Sequence, residues 1–197
     1  MDFDAHTCDL EVAEIEAKLD GWKLTLNTTE FLMMMPEDLK SLNCPVWKEG
    51  VDSTRMALQL ETATIVSPDE NHKPKSLLEF ASGINHSPVF GYKRPRYMHN
   101  TWWCFSTGRH EVHNIPVESR DDAFICWMVF YPWNKAMVKR KLQIHTQMSP
   151  HDKRDGLVSG TFWPDEKTMA ETRGDLLRKT PPFAIHPLGG RGNYGYE

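Results

Sequence analysis

Residues 123–131, Ala-Phe-Ile-Cys-Trp-Met-Val-Phe-Tyr, have no polar face. A strand sends successive side chains to opposite sides, so this segment is wet on neither side and must be buried on both. It is too short to cross a bilayer as a helix. One face of such a strand packs on helices. The other must meet a second wall or an enclosed cavity, and the rest of the chain has to supply both covers.

The flanking sequence suggests how. Cys8, Val12, Ile15 and Leu19 recur at helical spacing, which predicts a helix over 8–20 with Thr7 as N-cap, Gly21 as stop, and Glu11, Glu14, Glu16 and Lys18 in water. Trp22, Leu24 and Leu26 alternate as a short strand. Phe31 to Met35 is an apolar run ended by Pro36, and Met56 to Thr64 alternates with Gln59 and Glu61. Short helices are expected after Pro36 and over 75–82. From Tyr97 strands are expected near 97–106, 110–118, 122–132, 137–148 and 157–163, with turns at Gly108, 119–122, Asn134 and 149–156. A last helix runs from Pro164 to about Arg178. This order predicts an α+β fold: a curved antiparallel sheet packed on helices, cone- or barrel-like, with an enclosed pocket. One domain is expected over 1–180, followed by a Gly/Pro-rich tail over 181–197.

Seven Trp and nine Phe argue against disorder. A net charge of −4 argues against a general nucleic-acid binder. The cluster Lys135, Lys139, Arg140, Lys141 reads first as a solvated strand edge or turn and second as a phosphate-binding patch. The four cysteines show no C-x-x-C spacing, which argues against a zinc site or redox pair. No apolar run reaches membrane-spanning length and no secretory h-region follows Asp2, Asp4 and Asp9, so a cytoplasmic protein is expected.

Chemistry is most readily placed on the aromatic strands. Alternation puts Tyr97, His99, Thr101, Trp103 and Phe105 on one face, and His110, Val112 and Asn114 on one face of the next strand. A wall mixing rings with a few polar groups is what small-molecule pockets look like, and paired histidines can exchange protons near neutral pH. The plainer alternative is histidines that are solvated or hydrogen-bonded in place. His110 and His113 point to opposite faces of a strand and cannot chelate together, and a metal site from His99, His110 and His145 has no spacing signature.

Residues 109–162 resemble the NTF2-like superfamily, the α+β cone shared by SnoaL-type cyclases and scytalone-type dehydratases. The resemblance lies in Arg109-His110, Asn114-Ile115-Pro116-Val117, the turn at Arg120-Asp121-Asp122 and the apolar strand from Ala123. It implies that His110, and Asn114 with it, face a cavity. The resulting expectation is a cofactor-independent lyase or isomerase acting on a small hydrophobic molecule. Its catalytic residues would be His110, His99 and Tyr97, and its substrate contacts Thr101, Trp103, Asn114, Trp127 and Tyr131, with no metal. The alternative is a non-catalytic ligand-binding or assembly protein, and homodimerisation stays open in both cases.

Overall fold

The computed structural model describes residues 4–34, 55–67, 94–101, 105–155 and 163–179. The helices expected after Pro36 and over 75–82, the strand expected at 157–163, Trp103 and the tail lie outside them. Asp4 opens the chain's first helix, α1 (Ala5–Glu16), by accepting a hydrogen bond from the Thr7 amide, so Asp4 rather than Thr7 is the N-cap. Five strands follow: β1 (Lys23–Leu24), β2 (Glu30–Met34), β3 (Ala57–Val66), β4 (Arg96–His99) and β5 (Val117–Phe130). Then come α2 (Lys135–Gln147), α3 (Pro150–Arg154) and α4 (Glu166–Lys179).

The fold is α+β. Its sheet, in the order β1-β4-β3-β5-β2, is strongly curled into a half-barrel packed with helices. It is mixed rather than antiparallel, because its long central pair, β3 and β5, runs parallel. A parallel pair cannot be joined by a hairpin, so the second half of the chain is not a simple meander. β5 is also irregular. Leu60 pairs with Arg120 and Glu61 with Phe124, so residues 121–123 bulge against β3 where the sequence suggested a turn.

β5 is buried on both sides, as its composition requires. Phe124, Cys126 and Met128 pack with Ala63, Ile65 and Tyr131 on one face. On the other, Ile125 joins Leu58, Leu60 and Met98, while Trp127 and Val129 meet Met137, Val138 and Met169 of the covering helices.

Two further segments differ from the strands expected of them. The strand expected over 137–148 is the helix α2. Asn134 caps it by accepting from the Met137 amide, and Met137, Val138, Lys141, Leu142 and Ile144 recur at helical spacing toward the sheet. Residues 110–116 do not form a strand either. Phe105 bridges Val112 across a tight turn, and β5 begins only at Val117. Gly108, at φ +81°, and Arg109, at φ +58°, turn the chain there, and left-handed backbone is the reason a glycine suits position 108.

Candidate functional site

The sequence-selected residues do not come together in one cavity. Tyr97 and His99 do share a face of β4, with Phe105 beside both at ring distances of 6.2 and 4.8 Å. His99, however, is fully buried and committed at both ring nitrogens. Nδ1 is 3.0 Å from the Thr101 carbonyl and Nε2 is 3.1 Å from Oε1 of Glu16. Thr101 is buried and contributes that carbonyl, which also accepts from Lys23 Nζ at 3.2 Å. His110 donates from Nδ1 to the Pro95 carbonyl at 3.2 Å. Burial, and then the charge of Arg96, hold its pKa down at about 4. Burial raises the Tyr97 hydroxyl above its ordinary value. Asn114 is exposed at a bend with φ +62°, and Tyr131 is part of the core. Of the expected substrate contacts among the described residues, Trp127 alone lines a cavity of about 520 Å³.

The residues around His99 form an ion-pair cluster that sequence pattern did not show. Arg109 donates from Nη1 and Nη2 to the two carboxylate oxygens of Glu16, each at 2.7 Å. Thr25 adds a hydroxyl bond of 2.8 Å, and Asp9 accepts from the Gly108 amide at 2.7 Å. Burial works against the charge on Glu16, yet hydrogen bonds from His99, Arg109 and Thr25 hold its carboxyl at about 2. The inward face of α1 therefore carries Asp9 and Glu16, while Ile15 and Leu19 are 58% and 52% exposed. Ile15 and Leu19 thus depart from the expected apolar stripe, while Cys8 and Val12 stay half-buried, and Glu16, expected in water, is buried. The charged groups win that face because a buried arginine needs a carboxylate more than an isoleucine needs burial.

The cavity itself is a cleft of about 520 Å³ between the sheet and α2. Trp127 of β5, Thr62 of β3 and the loop before β2 form one wall. Ile144 and the cations Arg140 and Lys141 of α2 form the other. Arg94 and Arg96 enter from the start of β4, and the Arg94 guanidinium lies 5.6 Å from the Trp127 ring centre. Among the described residues, four cationic side chains line the cleft and Glu30 is the carboxylate beside them. That carboxylate is saturated. It accepts from Arg96 Nε and Nη2 at 2.9 and 2.7 Å, and from the Asn27 amide and side chain at 2.9 and 3.3 Å. Desolvation, and then the charge of Arg140, bring Lys141 down to about 8. Half of the basic cluster read as a solvated strand edge therefore faces a cleft. The α2 spacing was the signal that could have shown it: positions 137, 141 and 144 share one helix face.

Among the described residues, Asp4, His151 and Asp152 are the group close enough to hold a metal ion. Their grouping has an internal cause. Asp4 caps α1 and accepts from the Ser149 hydroxyl at 3.0 Å, Ser149 caps α3, and Asp152 accepts from the Ala5 amide at 2.9 Å. Among the described residues no helix is long and apolar enough to cross a membrane. Comparison with family models, curated proteins and solved structures finds no match to this chain.

Proposed function

We propose that this chain binds a small organic anion with an apolar or aromatic body in the cleft between the sheet and α2. The observation that carries the reading is the pair of cations Arg140 and Lys141 lining the cleft beside Trp127, while the oxygens of Glu30, the carboxylate of the cleft among the described residues, are engaged by Arg96 and Asn27. Cations gathered beside a ring and apolar side chains need a counter-charge, and a ligand carboxylate or phosphate supplies one with charge-assisted hydrogen bonds. Trp127, Leu26 and Ile144 give the ligand's body a dry contact, in a cleft of the size that small ligands occupy. The partner expected from sequence, a small hydrophobic molecule, is revised to an amphiphilic anion. Neither His110 nor His99 lines this cleft, so the anion-binding reading does not use them.

Isothermal titration with phenyl phosphate, benzoate and the neutral analogue benzyl alcohol tests the reading. The anions should bind, more weakly as salt rises, and the alcohol should not. The double variant Arg140→Gln/Lys141→Met should lose at least ~10-fold in affinity, the loss expected from removing charge-assisted bonds. Equal binding of the alcohol and the anions would sink it.

A further inference from the structure

One side chain of the cleft has surroundings that go beyond holding an anion. Lys141 is 9% exposed and lines the cleft beside Arg140, with Arg94 also at the cavity. Leu26, Ile144 and Trp127 line the same cleft. Glu30, the carboxylate of the cleft among the described residues, is filled by Arg96 and Asn27. Among the described residues no hydrogen bond or ion pair engages the Lys141 ammonium. A buried amine beside a cation, with the carboxylate near it already held by other donors, is the environment in which a lysine becomes a nucleophile rather than a point charge.

We propose that Lys141 forms an imine, and that the ligand class of the cleft is an oxo acid: a small molecule carrying an aldehyde or ketone carbonyl close to its anionic group. The inference rests on the anion-binding reading, because Arg140 is what would hold the anionic group and set the carbonyl carbon against Nζ. The neutral amine adds to the carbonyl carbon and forms the C–N bond as the C=O π pair moves to oxygen. That oxygen then leaves as water, taking one proton from the nitrogen and one from solvent. A protonated imine remains, and no oxidant or reductant is consumed. Burial and the neighbouring Arg140 charge favour the neutral amine this step requires. Lys135 and Lys139, exposed on the same helix, are internal controls.

The full chain is incubated at neutral pH with glyoxylate or pyruvate, reduced with borohydride, and mapped by peptide mass. The expected result is one adduct, on Lys141, at least ~10-fold above Lys135 and Lys139, as its larger neutral fraction implies. Phenyl phosphate should suppress it. Lys141→Arg keeps a cation but has no primary amine, so it should abolish the adduct. Labelling spread over exposed lysines, with phenyl phosphate binding intact, would overturn the imine and leave the anion cleft standing. A Lys141 adduct indifferent to phenyl phosphate would overturn the oxo-acid class. Absence of both binding and labelling would remove the two readings together.

Discussion

Glu16 of α1 and Arg109 of the turn before β5 meet through two parallel hydrogen bonds of 2.7 Å, with 5% and 6% of their side chains exposed. His99 and Thr25 complete the carboxylate's partners, and Asp9 stands 3.7 Å from Arg109 Nε. Two carboxylates thus face one guanidinium and a ring held at both nitrogens. Removing one member of such a cluster strands the others in a poorly solvating interior. Glu16→Ala should cost about 3–5 kcal/mol in urea unfolding followed by circular dichroism. Glu14→Ala, on the exposed side of the same helix, should stay within about 0.5 kcal/mol. Similar losses from the two would show that the pair does not hold α1 to the sheet.

The same cluster gives stability a definite pH dependence. The folded pKa of Glu16, about 2, lies below its ordinary 4.5, so its stabilisation is full above about 4.5 and disappears as pH falls toward 2. His110 is depressed from 6.5 to about 4, so the unfolded chain binds the proton more readily between those values. Its contribution is full above 6.5 and is lost as pH falls through 4. Melting temperature should therefore decline in two limbs on acidification. His110→Gln should flatten the limb between 6.5 and 4 and leave the lower one. A single limb, the same in wild type and variant, would count against this account of His110.

The sequence made the burial of β5 unavoidable, because a strand without polar positions admits no other placement. It also showed β3, the α+β class and the last helix. It misled where one residue type serves two periods. Met137, Val138 and Leu142 satisfy an alternating pattern as loosely as a helical one, and only the Asn134 cap, contacting the Met137 amide, decides for α2. The parallel β3–β5 pairing joins segments far apart in the chain and leaves no local signature. The histidines were chosen for their chemistry, but His99 is held by Glu16, a residue whose charge suggested solvent. Nothing local to α1 announces Arg109, which arrives from more than 90 positions away. The cationic cleft was half legible, since the cluster at 135–141 was visible but its partners Arg94 and Arg96 come from another strand.

Arg173 of α4 ties the helix layer to the end of β3. Its Nε and Nη2 both donate to the Ser67 carbonyl, at 3.1 and 2.6 Å, and its guanidinium lies 4.8 Å from the Trp133 ring centre. A planar fork makes these contacts together, and an ammonium cannot. Arg173→Lys should lose nearly as much as Arg173→Ala, about 1–3 kcal/mol by chemical denaturation, because the carbonyl loses its paired donors in both. Full rescue by lysine would mean that charge alone matters there.

Lys141 yields the opposite expectation, a substitution that stabilises. Its folded pKa of about 8 lies below the ordinary 10.5, so the folded chain holds that proton less tightly than the unfolded chain does. The group's contribution is at its best above 10.5, falls as pH drops through 8, and leaves a net cost at neutral pH. Lys141→Met keeps the length and apolar stem of the side chain and removes the desolvated charge. It should raise stability at pH 7 by on the order of 1–3 kcal/mol while weakening the binding of phenyl phosphate. Thermal melts at pH 7 and pH 10 check the sign, since the gain should shrink at the higher pH, where the wild-type amine is already neutral. A variant less stable than wild type at pH 7 would show that Lys141 is held by favourable contacts, and a residue so held would not be poised to give up its proton.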